Sequence, residues 1–345
     1  MMGISGLSSS AVTAKAKAIR ARCMTSSELF EMAEKQDLRE LTKFLSGYAD
    51  YEAAFGIMRS GNIGVRYIEL IAHMTTLIRL EKILRYARLS GSFIAGTFTS
   101  YLEKCAVINA FRTVECGLSD STVSYIPENI KKDMHFDVLA LEGALSVEEM
   151  TSALSGTEYE KLIGLAVGSH GKKNPQAIEN VIDRYFYENA AETFRKKAGG
   201  DTKELCELIG VICDMMTLDA LTRIKKYYAS YEEELSLHIF RCGVTNIKPS
   251  MFERLKSAKD VGELADAISE TKYASAAQDI AGGDDLFAKR YIRKVFSKKF
   301  ASSYSPPVTA LCFFVLSVLE EKCVISAAEG IERKADVETI KKMMV

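Results

Sequence analysis

The chain has 345 residues and sets 45 Lys and Arg against 46 Asp and Glu, so its net charge gives no electrostatic case for nucleic acid as a partner. Hydrophobic residues make up 48% and charged residues 26%, which excludes a disordered tail and allows buried cores in two or three domains of ordinary size. Five Pro and 22 Gly are too few for a turn-rich all-β chain, and long helices are the expectation.

The first predicted element is an N-terminal helix through residue 23. Ser8, Ser9 and Ser10 lead into Lys15, Lys17, Arg20 and Arg22 without the apolar run of a signal peptide. A short helix follows in Asp37-Leu-Arg-Glu40-Leu41-Thr-Lys-Phe-Leu45-Ser46, closed by Tyr51. A long helix runs from Val65 to Arg88, with Leu70, Met74, Leu77 and Leu84 at helical spacing. Another helix contains Glu103-Lys-Cys-Ala-Val-Ile-Asn-Ala-Phe-Arg112.

The same order then recurs. Ser146-Val-Glu-Glu149-Met150-Thr-Ser-Ala-Leu154-Ser155 leads to Tyr159, and Asp260-Val-Gly-Glu263-Leu264-Ala-Asp-Ala-Ile268-Ser269 leads to Tyr273. In each copy a good N-cap (Asp37, Ser146, Asp260) stands three residues before a glutamate (Glu40, Glu149, Glu263), which predicts a capping box. Apolar residues then follow one and five positions after the glutamate and form one buried stripe. Met32, Leu141 and Leu255 stand five before the caps. Ile178, Val181, Ile182 and Tyr185 take the place of the long-helix stripe in the second copy. The helix of Glu103 recurs as Asp214-Met-Met-Thr-Leu-Asp-Ala-Leu-Thr-Arg223 and as Glu321-Lys-Cys-Val-Ile-Ser-Ala-Ala-Glu329. Two elements recurring in one order, with starts at 37, 146 and 260, imply three copies of an all-helical unit. The period is too long for a solenoid. Domains are expected at 1–23 (N-terminal helix), 24–131, 132–245 and 246–345, in pseudo-threefold packing. The most apolar run, Val308 to Leu319, is too short to span a bilayer and predicts a buried helix.

Motifs for chemistry are sparse. Gly171-Lys172 has Ala166 where a phosphate loop needs Gly and Lys173 where it needs Ser or Thr, so it is read as a basic turn. Gly282-Gly283 is read as a loop. The four histidines (73, 135, 170, 238) and eight cysteines form no zinc pair or C-x-x-C site. The cysteines are expected as reduced core thiols, and Cys206 and Cys213 share one helix face. The basic stretches Lys289 to Arg293 and Lys294 to Lys299 are by default a solvated helix face.

The chain resembles the family of the C subunit of V/A-type ATP synthases, known as the d subunit in eukaryotic vacuolar ATPases. Ala14-Lys-Ala-Lys-Ala-Ile-Arg20-Ala-Arg22-Cys-Met-Thr25 is similar to the family's Ala/Arg-rich opening helix, with Cys23-Met24 in place of two leucines. Leu154-Ser-Gly156-Thr157-Glu-Tyr159 resembles the family's Leu-x-Gly-Thr-x-Tyr, and Ile268-Ser-Glu-Thr271-Lys-Tyr273 its later counterpart. Ile178-Glu179, Asp183 and Tyr185 match a further helix. Asp214, Leu218, Arg223 and Lys225 match another, with Thr217 in place of an asparagine. Glu321 to Ile331 resembles the family's last such helix, with Val324 in place of an asparagine.

The resemblance covers about residues 11 to 345. It implies a funnel of three helical domains that acts as a non-catalytic central-stalk socket. The partners it implies are the central shaft subunits and the membrane rotor ring, with the soluble chain held at the cytoplasmic face. No cofactor, metal, nucleic acid or direct small-molecule ligand is expected. Arg112, Arg223, Glu103, Asp214 and Glu321 are the interface candidates. Surface salt bridges or helix-end charges are the competing reading for the arginines, and helix caps or interdomain pairs for the acids. A helical scaffold with another partner, and an enzyme using Cys or His in a cleft between repeats, are the alternative functions.

Overall fold

The computed structural model describes residues 4–58, 62–89, 92–116, 126–170, 175–228 and 239–344, and the regular structure of these residues is entirely helical. The helices are α1 (Ile4–Arg20), α2 (Ser26–Glu31), α3 (Leu38–Leu45), α4 (Ala49–Ile57), α5 (Val65–Leu89) and α6 (Ile94–Cys116). There follow α7 (Glu128–Lys131), α8 (Val138–Glu142), α9 (Val147–Ala153), α10 (Glu158–His170), α11 (Pro175–Lys197) and α12 (Thr202–Tyr227). The last six are α13 (Pro249–Ser257), α14 (Val261–Ser269), α15 (Ala274–Ala281), α16 (Phe287–Ser302), α17 (Pro306–Glu332) and α18 (Val337–Met343). The basic turn expected around Gly171-Lys172 lies outside the described residues.

The chain divides into two compact units, one of residues 1–95 with 293–345 and one of residues 96–292. In the first, α17 packs against α1, α5 and α18. Its start is set by Pro306 and Pro307 behind the Ser305 cap, since proline needs no hydrogen-bond donor in the first turn. The run from Val308 to Leu319 is almost wholly buried within it, as the sequence predicted. No described helix is long and apolar enough to cross a membrane. Along α5 the buried side chains include Ile68, Ile71, Met74, Leu77, Leu80 and Leu84, while Leu70 is half-exposed. The stripe therefore passes through Ile71 rather than Leu70.

The second unit builds one core from α12 to α15, with Leu218, Leu221, Leu255, Leu264, Ile268 and Tyr273 among its buried residues. Lys104 of α6 is buried elsewhere in the same unit. It is ion-paired to Asp183 at 2.7 Å and surrounded by the rings of Tyr101, Phe186 and Tyr187.

The three repeated short helices are α3, α9 and α14. Asp37 accepts from Arg39 N and Glu40 N at 2.8 Å, Ser146 from Glu149 N at 3.1 Å and Asp260 from Glu263 N at 2.9 Å. The stripe residues Leu41, Leu45, Met150, Leu154, Leu264 and Ile268 are fully buried. One detail departs from the capping box. Glu40, Glu149 and Glu263 reach past the cap and accept from Gln36 N, Leu145 N and Lys259 N at 2.8–2.9 Å. Backbone geometry accounts for it, because the three caps are fully extended, with φ of −149°, −141° and −146°. At the start of α2 the cap Thr25 has φ −74°, and there Glu28 closes an ordinary box on Thr25 N at 2.7 Å.

Candidate functional site

Each repeated tyrosine faces a buried carboxylate. Tyr51 is 1% exposed and its hydroxyl donates to Glu320 Oε1 at 3.4 Å. Tyr159 donates to Ser100 O at 3.5 Å, one turn before Glu103 on α6, and the Glu103 charge, after burial, pushes its phenol up. Tyr273 donates to Asp214 Oδ2. Tyr159 thus shares a cavity lining with Glu103, while Tyr273 bonds Asp214 and Tyr51 bonds Glu320.

A loop residue completes each cluster. Cys23, His135 and Asn246 each stand two before the N-cap of a short helix, respectively Thr25, Asp137 and Lys248. His135 N and Nδ1 lie 2.7 and 2.8 Å from Glu103 Oε1. Asn246 N donates to Asp214 Oδ2 at 2.9 Å, and Thr245 Oγ1 donates to Oδ1. Cys23 is buried, and burial together with the Glu320 charge pushes its thiol up to about 11.

The clusters differ in their cations. In the first unit Arg79 is 1% exposed and bridges two carboxylates. Its Nη1 donates to Glu320 Oε1 at 2.8 Å and its Nε to Asp50 Oδ2 at 3.1 Å, while the guanidinium lies 5.5 Å from the Tyr51 ring centroid. Arg20 Nη1 takes Glu320 Oε2 at 3.0 Å and Lys82 takes Asp50 Oδ1 at 2.5 Å. Burial raises the Asp50 pKa, but Lys82 and Arg79 together outweigh it and hold the carboxyl below the usual range. At Tyr273 the chain supplies Lys272, whose ammonium is 5.3 Å from the ring centroid. Around Glu103 the corresponding space is a cavity of about 350 Å³, lined by Glu103, Glu158, Tyr159, Tyr185 and Phe186 among others.

Of the five candidates read from sequence, Glu103 and Asp214 are the acids of two clusters. Glu321 lies one residue past the acid of the third and faces His73 Nδ1 at 3.2 Å. Burial raises its pKa, but His73, Lys322 and Thr76 together outweigh that and the carboxyl is held low. Arg112 makes a bidentate pair with Glu179 at 2.6 and 2.8 Å, and Arg223 pairs with Asp219 one turn back at 3.1 Å. Both arginine side chains are about half exposed. On α16 the exposed cations are Arg290, Lys294 and Lys298, with Arg290 paired to Asp284 at 2.9 Å. Among the described residues seven cysteines are free thiols, and no group of three or more metal-ligating side chains converges.

Sequence reasoning misses Glu320, Arg79, Asp50, His135 and Asn246. A signal exists for three of them. Asp50 directly precedes a repeated tyrosine, and His135 and Asn246 are found by counting back from helix caps. Arg79 carries none, since a charge within an apolar stripe reads as a solvent-facing position.

The family model of the ATP synthase (C/AC39) subunit matches residues 12–343. The chain belongs to this family. Relatives named as the C subunit of A-type ATP synthase include that of Methanosphaera stadtmanae, 21% identical over 274 residues, covering 77% of this chain and 66% of the relative. That of Methanobrevibacter smithii is 21% identical with 77% and 67% covered. That of Methanothermobacter thermautotrophicus is 23% identical over 267 residues, with 75% and 65% covered. The chain thus spans about two thirds of the length of these relatives. The regular structure of the described residues is all-helical.

Proposed function

We propose that this protein is a non-catalytic rotor subunit of a V/A-type ATP synthase or ATPase, a socket that couples the central shaft to the ion-translocating membrane ring. The observation that carries the reading is the family match over residues 12–343. The recurrence of a tyrosine beside a buried acid, at Tyr51, Tyr159 and Tyr273, supports a pseudo-threefold funnel of three copies at 24–131, 132–245 and 246–345, behind an N-terminal helix at 1–23. A torque-bearing body needs stiffness, and the fully buried bridge of Arg79 to Asp50 and Glu320 joins helices distant in sequence. In this reading the chain is a peripheral subunit at the cytoplasmic face. The half-exposed Arg112 and Arg223 are the better interface candidates. Glu103, Asp214 and Glu321 already serve as acceptors for groups of the chain itself.

The test is affinity capture of the tagged chain from its own cells in mild detergent, with mass spectrometry of what comes with it. Head subunits, shaft subunits and a small membrane ring protein are the expected partners. Recovery of the chain alone, or with an unrelated soluble protein, overturns the rotor reading in favour of a scaffold.

A further inference from the structure

The chain after α12 turns back and lies along that helix. Thr217 Oγ1 donates to Phe240 O at 2.8 Å. Thr245 Oγ1 and Asn246 N donate to Asp214, the latter at 2.9 Å. Asn246 Nδ2 reaches Glu207 O at 3.3 Å. These ties run in opposite order along the two segments, so residues 240–246 are antiparallel to α12. Cys242 falls between the ties, and Cys213 stands directly before Asp214 on the helix. Both are buried, at 3% and 1% exposed, and their thiols hydrogen-bond one another. The residues flanking Cys242, Arg241 and Gly243, are exposed, so the pair lies close beneath the surface.

The two sulfurs have unequal surroundings. Cys242 Sγ accepts from the Cys213 thiol and from Val244 N at 3.5 Å, and these bonds hold it below the ordinary thiol value against the cost of burial. Burial, together with the bond to Cys242, pushes the Cys213 thiol far up. Cys242 is therefore the readier to ionise, and the thiolate is the reactive form. A stabilised thiolate beside a second thiol is the arrangement in which oxidation passes on to a disulfide. Cys206 is the built-in contrast. It lies seven residues before Cys213 on the same helix, is only half-buried, and turns its thiol to Ala191 O at 3.9 Å.

We propose that Cys213 and Cys242 form a redox modification site, closed by a hydroperoxide into a disulfide that fixes residues 240–246 to α12. The Cys242 thiolate attacks one peroxide oxygen, the O–O bond breaks, and the departing hydroxide takes the proton that Cys242 released, leaving a sulfenic acid and water. The Cys213 sulfur then attacks the Cys242 sulfur. The S–O bond breaks, and the hydroxyl leaves with the Cys213 proton as a second water. Two thiols lose two electrons and one peroxide gains them. Thiols in hydrogen-bond contact need little movement to reach disulfide geometry. The bond replaces breakable ties with a covalent one and holds Thr245 and Asn246 on Asp214. None of this depends on the assembly proposed above.

The test uses the isolated full chain. Reduced protein is treated with hydrogen peroxide under native conditions, the remaining thiols are blocked with N-ethylmaleimide in urea, and the chain is digested with trypsin without reductant. The expected product is peptide 204–223 joined to peptide 242–254, with fragment ions placing the link at Cys213 and the maleimide at Cys206. Its yield should exceed that of any other cysteine pair about tenfold or more, and dithiothreitol should reverse it. Amide exchange over residues 240–246 should slow about tenfold or more in the oxidised chain, because a cross-link suppresses local opening. In Cys213→Ser, dimedone should trap a sulfenic acid on Cys242, and in Cys242→Ser the labelling of Cys213 should be about tenfold slower or less. Should either variant fail to fold, the mapping on the wild-type chain still decides. No link between Cys213 and Cys242, a link through Cys206, a yield no higher than that of other pairs, or unchanged exchange overturns the proposal.

Discussion

The cluster around Glu320 and the cluster around Asp214 bury a carboxylate against the same kind of tyrosine but satisfy it with different donors. Glu320 is held by two arginines, one of them fully buried and shared with Asp50. Asp214 is held by Thr245 Oγ1, Tyr273 OH and the Asn246 amide, all neutral. A buried cation shared by two acids couples them, because losing it leaves Asp50 with Lys82 alone and Glu320 with Arg20 alone. Neutral donors act one bond at a time.

The largest effect should come from breaking the shared cation. Arg79→Met leaves Asp50 and Glu320 buried without it and should destabilise by about 3–5 kcal/mol in urea unfolding. Replacing the group together, with Asp50→Asn, Arg79→Met and Glu320→Gln, should recover most of that loss, because the buried charges leave as a set. A triple variant no more stable than the single one would show that the contrast is not one of stranded charge.

Asp214→Asn keeps the shape of the second cluster and removes only the charge from its hydrogen bonds. A loss of about 1.5–3 kcal/mol is expected in the same assay. If it equals the Arg79→Met loss, the neutral cluster is as brittle as the charged one.

Acid sharpens the contrast without mutation. Asp50 and Glu321 are both held below the usual carboxylate range, each by cationic or imidazole neighbours that outweigh burial. A carboxyl lowered in the folded state contributes stability that is complete above its ordinary value and lost as the pH falls through the lowered one. The unit of residues 1–95 and 293–345 should therefore lose urea resistance as the pH drops below about 4, and Glu321→Gln should flatten that profile. A wild-type profile flat from pH 5 to 3 would contradict the assignment.

Ser146→Ala removes one cap bond of α9 and should cost about 1 kcal/mol by thermal melting. The smallest effects are expected at Arg112 and Arg223. Each pairs at the surface, so Arg112→Ala and Arg223→Ala should change stability by only about 0–1 kcal/mol. Weakened co-purification with partner proteins, at unchanged stability, would then mark them as interface residues.

The helices, their caps and the buried stripes of α3, α9 and α14 are all legible in the sequence, because each rests on local spacing. Apolar residues four apart face one way on a helix, and an Asp or Ser cap declares its start. What is not legible depends on the backbone or on distant chain. The glutamates of α3, α9 and α14 bond one residue further back than a box predicts, because φ at the cap is not written in the residue type. Spacing points to Glu321 as the third acid, yet its neighbour Glu320 meets Tyr51, a distinction of one position on a helix whose orientation is set by packing. The cavity beside Glu103 is invisible for another reason: its lining is drawn from separate stretches of chain, Ser100 and Glu103, His135, Tyr159, and Tyr185 to Asn189.

The Arg20–Glu320 and Arg79–Glu320 contacts join positions separated by 300 and 241 residues. On the ribosome this has a direct meaning. The first 95 residues emerge early but cannot complete their core until α17 has been made, whereas residues 96–292 are all available by then. The helices of the leading segment must wait, apolar faces uncovered and Arg79 without its Glu320 partner, while the intervening unit is synthesised. Domains generally fold as units during synthesis, and closing a loop of this length adds only a logarithmic entropy cost. The order of assembly is thus set from the inside outward, with the beginning of the chain among the last parts to settle.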